Sequence, residues 1–162
     1  MIRLGVRVEI GPETTGKETQ FGSLFEVLEI AKKIPGVRPT IDFGHMHVRS
    51  SDSMIASEVD YQRILSLIEK ELGAESMSGL PIHFSEVEPT KSGIGERRHH
   101  QLGSGYGPRF DWLANVIAEN GYRFVIISES PLLELDSIQM KRILERKMAR
   151  MPTGSRAPHD IR

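Results

Sequence analysis

The chain has 162 residues, 38% of them hydrophobic and 27% charged, with a net charge of -1 and no cysteine. These figures suit one globular domain with a packed core. They give no overall pull toward nucleic acid and exclude disulfides and thiolate metal sites, so a bound metal has to be held by His, Asp and Glu. No stretch approaches the roughly 20 apolar residues of a membrane span, and MIRLGVRVEI alternates charge with apolar residues instead of reading as a signal peptide, so the expectation is a soluble, cytoplasmic protein.

In chain order, a short apolar run followed by a polar loop and a stretch of helical period occurs four times, the signature of βα units. The first strand is read over Leu4 to Ile10 and the first helix near Ser23 to Ile34, with Leu24, Val27, Leu28 and Ala31 on one face and Pro35 and Gly36 as the stop. Between them, GPETTGKE comes within one residue of the phosphate-loop pattern G-x-x-x-x-G-K-[ST]. Glu18 stands where that pattern needs a hydroxyl, and Glu13 would put a carboxylate among phosphates. The second strand is Pro39 to Asp42, followed by the polar loop FGHMHVRSSDS and a helix near Val59 to Leu72 that Gly73 ends. The third strand is Leu80 to Phe84, after which SEVEPTKSGIGERRHHQLGSGYG reads as the longest irregular stretch, a length that points to function or disorder. The third helix is read near Arg109 to Glu119, the fourth strand over Tyr122 to Ile127 and the last helix near Ser137 to Met148. Residues 1 to 151 form one unit on this reading, and the aperiodic tail 152 to 162 is expected to be disordered.

Alternating strands and helices imply a parallel sheet with right-handed crossovers. Four units are half of a (β/α)8 barrel, or alternatively a small open doubly wound sheet. In either closure the carboxyl ends of the strands converge, and each end here carries a metal-ligand residue: Glu13, Asp42 with His45, His83, and Glu129, with His99 in the long loop. Singly these have ordinary readings. Glu13 and Glu129 could favour helix starts, Asp42 and His45 could form a loop hydrogen bond, and His83 could be a satisfied core histidine. Pooled at one end of a sheet, three histidines and three carboxylates need a positive partner, which divalent cations supply; zinc or manganese suits such a donor set. Arg97 and Arg98, beside His99, read either as a solvated charge run or as a phosphate clamp.

The motifs PETTGKETQFGS, PTIDFGHMHVR, IHFSEVE, ERRHHQLGSG and IISESP together resemble the endonuclease IV group of abasic-site endonucleases, within the xylose-isomerase-like barrels, and are closest to its archaeal-type members. The resemblance spans Leu4 to about Arg146 and covers only the C-terminal half of such a barrel, strands five to eight. It implies a (βα)4 half of a TIM barrel and a cluster of two or three Zn2+ or Mn2+ ions. Glu13 matches the bridging carboxylate, Asp42 and His45 the D-x-x-H ligands of two different ions, His83 and Glu129 further ligands, and His99 the histidine of an R-H loop motif. The bacterial pattern has Asp two residues before that histidine, where this chain has Arg97, so Glu96 or a two-metal site is left to substitute.

The resemblance further implies hydrolysis of DNA 5′ to abasic sites by a metal-activated hydroxide, with Glu13 and Glu129 central to the chemistry and Arg97 and Arg98 near DNA phosphates. Two histidines from the first half of such a barrel are absent. That points to pairing, with a second copy or with an N-terminal half-barrel. The alternatives are a sugar isomerase or epimerase of the same barrel type and a non-catalytic barrel fragment.

Overall fold

The computed structural model describes residues 8–51 and 55–151. In chain order the elements are α1 (Leu24–Lys33), β1 (Ile41–Asp42), α2 (Phe43–Val48), α3 (Glu58–Leu72), a 3-10 turn (Ala74–Met77), β2 (Pro81–Phe84), β3 (Glu86–Pro89), β4 (Glu96–His100), α4 (Phe110–Asn120), β5 (Val125–Ser128) and α5 (Glu134–Arg150). The start of α1 is set locally by a capping box. The Ser23 hydroxyl accepts from the Glu26 amide, and the Glu26 carboxylate accepts from the Ser23 amide at 2.9 Å.

β1, β2 and β5 form one parallel sheet in that order. The segment ahead of α1 extends it on the β1 side through two isolated parallel bridges, Ile10 to Val37 and Glu13 to Thr40. Successive strands therefore lie side by side without the reversal of order that defines a doubly wound sheet, so the winding is that of a barrel. Among the described residues strand β5 and the N-terminal segment are not paired with each other, and the barrel is open: an α/β half-barrel of parallel strands and crossover helices.

The period of two along β2 separates the faces. Ile82 and Phe84 are fully buried against the helices, in one core with Ile41, Leu65, Ile68, Leu113 and Ile117. His83 points to the opposite, inner face, as does its register partner Asp42 on β1. On β5 the register partners of Pro81 and His83 are Val125 and Ile127, 55% and 48% exposed, and they belong to the face that a closed barrel fills with packed side chains.

Three local features depart from the sequence reading. Within the described residues the first strand forms two bridges, at Ile10 and at Glu13, because Pro12 between them has no amide hydrogen to donate, although its carbonyl still accepts from Thr40; Leu4 to Arg7 and the tail 152–162 lie outside the described residues. The loop after the second strand contains α2. The long stretch after the third strand contains the antiparallel hairpin β3–β4, with Val87 opposite His99 and Glu86 opposite His100. Its strands EVEP and ERRHH carry one apolar anchor, the fully buried Val87, and so show none of the alternation by which strands are read. Among the described residues no helix is long and apolar enough to cross a membrane.

Phe84 closes this core, with its ring edge-on to Phe110 at 5.0 Å between centroids. Phe84→Ala is expected to cost roughly 3 to 5 kcal/mol of unfolding free energy in urea titration; a loss below about 1 kcal/mol would contradict the placement of β2 at the centre of the core.

Candidate metal centre

The D-x-x-H spacing at Asp42 acquires its meaning from α2. Asp42 is the residue before the first helical turn, and its Oδ1 accepts from the backbone amide of His45 at 2.7 Å. That bond uses one carboxylate oxygen. The other, Oδ2, has no hydrogen-bond partner, although the residue is completely buried. It faces Glu13, His83 and Glu129, and one ligand atom from each of these four residues lies within 4.8 Å of the others. Nδ1 of His83 is 2.9 Å from Glu129 Oε1 and 3.3 Å from Glu13 Oε1 without the alignment of a hydrogen bond, so it too is a buried polar atom with no partner. Two orphaned buried atoms among three carboxylates fit a donor set for a divalent cation.

A second group stands beside the first. His45, Glu96 and His99 also place ligand atoms within 4.8 Å of one another. His45 connects the two groups, with Nδ1 3.3 Å from Glu13 Oε1 and Nε2 3.2 Å from Glu96 Oε2. Nδ1 also lies 3.0 Å from the Thr14 carbonyl, an acceptor only, so this nitrogen carries the proton and Nε2 is the atom left to bind a cation. His99 Nε2 is 3.2 Å from Glu96 Oε1, and its ring meets that of His45 edge-on. The donor sets differ: three carboxylates and one imidazole in the first, two imidazoles and one carboxylate in the second. Both fit a divalent ion of the zinc or manganese kind.

The backbone around Glu13 is fixed by two devices. The buried Thr14 hydroxyl donates to the Asp42 carbonyl and accepts from the Asp42 amide, which locks Glu13 alongside β1. The Arg49 guanidinium donates to the carbonyls of Thr15, Lys17, Glu18 and Gln20 and to the Thr15 hydroxyl. A phosphate loop turns its amides toward an anion; this loop turns its carbonyls toward a cation, which rules out the nucleotide reading on geometry. Gly16 is required for a further reason, since a Cβ there would lie 2.9 Å from Glu96 Cβ and 3.4 Å from the His45 ring.

The titration behaviour follows from this crowding. Contact with Glu129 and then with Glu13 raises His83 to about 10. Burial pulls His45 down, but Glu13 and Asp42 outweigh it and raise the imidazole to about 9. Glu13 is lowered to about 2 by His45 and His83, Glu129 is lowered chiefly by His83, and burial raises Asp42 to about 6. At neutral pH His83 and His45 thus each carry the proton that their neighbouring carboxylates favour.

All six ligand residues read from the sequence, Glu13, Asp42, His45, His83, His99 and Glu129, fall in these two groups. Glu96, left open in the sequence, completes the second. Arg97, at the position of the bacterial Asp, is turned away in an ion pair with Glu88, whose other oxygen contacts His100 at 3.0 Å; Arg98 is exposed. Glu86 was not singled out by sequence, yet its buried carboxylate accepts from Gly103, Ser104 and Gly105 and anchors the glycine-rich loop behind the hairpin. Only the glycine spacing of QLGSGYG hinted at such an anchor.

This fold, with its donor side chains gathered at the strand ends, is that of an α/β barrel. The chain belongs to the xylose isomerase-like TIM barrel family, whose model matches residues 4–148. Among its relatives is an uncharacterized protein of Methanocaldococcus jannaschii, MJ0133, 34% identical over 139 residues that make up 86% of this chain and 49% of the relative. The chain therefore spans about half the length of the curated relative it matches.

Because a cation has to displace protons from His83 and His45, zinc binding at pH 7 should release protons, seen as a calorimetric heat that varies with the ionisation enthalpy of the buffer. Affinity should fall as pH drops below about 10 and 9, where His83 and His45 take up protons, and more steeply through about 6, where Asp42 does. Buffer-independent heat would contradict this protonation scheme. A second expectation concerns Gly16→Ala: the added methyl pushes Glu96 outward, so one ion should bind more weakly by equilibrium dialysis while the other is retained.

Proposed function

We propose that the protein is a metal-dependent phosphodiester hydrolase resembling endonuclease IV, acting on DNA 5′ to abasic sites. The observation that supports this reading best is the adjacency of two donor groups, Glu13–Asp42–His83–Glu129 and His45–Glu96–His99, joined through His45. Zn2+ or Mn2+ ions held side by side would supply Lewis acidity, lower the pKa of water and offset the charge of a phosphodiester in displacement.

The chain's own residues have separable tasks. Glu13 and Glu129 hold the inner-face histidine His83 between them and carry the negative charge that would retain the ions. Asp42 ties the centre to α2, so the position of His45 is fixed by a backbone bond and not by its own side chain alone. The exposed Arg98 on β4 follows Glu96 by two residues and is the rim cation available to a substrate phosphate, whereas Arg97 is committed to Glu88. Completion of the barrel by four further units, supplied by a second copy or by a segment like the remaining half of the longer relative, belongs to the same proposal; it would cover Val125 and Ile127.

The test is cleavage of a duplex oligonucleotide carrying one abasic site, with zinc or manganese, run beside a panel of ketoses. Strand scission 5′ to the lesion is expected, and Glu13→Gln should lower it by about 100-fold or more, the equivalent of several kcal/mol of charge stabilisation. An intact oligonucleotide together with isomerised sugar would replace this reading with an isomerase. If both substrates are unchanged with metal bound, the chain is not a catalyst of either kind.

A further inference from the structure

We infer that Ser85 is a positioning residue for the second donor group, setting which nitrogen of His99 faces Glu96 and letting that imidazole change tautomer without moving. The inference rests on the metal reading above and adds to it a residue outside both donor groups.

Ser85 sits at the corner where the chain leaves the parallel sheet for the hairpin, between Phe84 at the end of β2 and Glu86 at the start of β3. It is completely buried. A buried hydroxyl in such a place needs a partner, and its Oγ lies 2.9 Å from His99 Nδ1. The neighbouring carboxylate of Glu86 takes donors from Gly103, Ser104 and Gly105, so two consecutive buried polar side chains serve different structures: Ser85 the donor group, Glu86 the loop behind it. Close packing holds the corner in place. A Cβ on Gly44 would fall 2.9 Å from the Ser85 carbonyl oxygen and 2.6 Å from Val87 Cγ2, so α2 lies directly against it.

The chemistry of a hydroxyl differs here from that of a carbonyl. His45 Nδ1 faces the Thr14 carbonyl, which only accepts, so that imidazole keeps its proton on Nδ1. Ser85 Oγ both donates and accepts. In one arrangement Ser85 donates to His99 Nδ1, and the Nε2–H donates to Glu96 Oε1, 3.2 Å away. In the other, the Nδ1–H donates to Ser85 Oγ, and the Nε2 lone pair is directed at the Glu96 carboxylate and the His45 ring. The change moves one proton off Nε2 and one onto Nδ1 through solvent, with no net gain or loss. The first arrangement satisfies His99 without a cation; the second makes it a ligand. A carboxylate at position 85 would allow only the second, and an alanine would fix neither.

The experiment is a zinc titration of the full chain followed by long-range 15N NMR of the histidine rings, with a chelator competition to measure the affinity of each ion. In the wild type, the His99 signals should move to the pattern of a protonated Nδ1 and a metal-bound Nε2 as the second ion binds. Ser85→Ala should bind that ion roughly 10- to 100-fold more weakly and retain the first at its wild-type affinity. Ser85→Thr, which keeps the hydroxyl, should restore the second affinity. His99 binding through Nδ1 in the wild type would overturn the inference with no variant needed, and so would Ser85→Ala holding both ions as the wild type does. A wild type that binds fewer than two ions would overturn it together with the metal reading, an outcome distinct from the other two.

Discussion

The buried carboxylate of Asp42 is the constraint on which the rest of this structure depends. A carboxylate with no exposure and one oxygen without a partner is costly unless the fold gains something for it. Its bonded oxygen starts α2 and thereby aims His45, and its main chain is held by Thr14, the residue after Glu13. Its free oxygen marks where Glu13, His83 and Glu129 meet. One side chain thus links the ends of three strands, and replacing it would disturb the helix, the first donor group and the approach to the second together.

Around this point the protein holds its donor side chains by backbone anchoring more than by rigid secondary structure. The loop after the N-terminal segment is gathered around Arg49, whose terminal nitrogens are engaged by loop carbonyls and the Thr15 hydroxyl and so are turned away from a substrate. The hairpin β3–β4 brings Glu96 and His99 over the sheet end, and Glu86 fastens the loop that follows it. These are elements added to the strand ends of a barrel, where such folds place their chemistry, while Ile82, Phe84 and the helices beneath them keep the scaffold stiff.

Much of this was legible in the sequence, for identifiable reasons. The four longer helices showed through their 3.6-residue periodicity, though the short α2 did not, and the strands beneath them showed through short apolar runs followed by polar loops. The candidate ligands showed because each lies within three residues of a strand end or, for His99, in the one long loop. The hairpin did not show, because charged strands held by a single buried valine carry no alternation. Glu96 stayed undecided because its role depends on how the hairpin folds back, with Arg97 drawn aside by Glu88, a pairing across strands that linear spacing does not reveal. Ser85 and Glu86 were invisible for a related reason: a polar pair after an apolar strand looks like the start of a solvated loop, and only packing against α2 and the glycine loop shows both to be buried.

The measurement that tests this account most directly is anomalous diffraction at the zinc edge from crystals of the protein grown with zinc. The account predicts two peaks, one among Glu13, Asp42, His83 and Glu129 and one among His45, Glu96 and His99. A map with no peak at Asp42 Oδ2, and the carboxylate there satisfied by water or a protein donor, would contradict it.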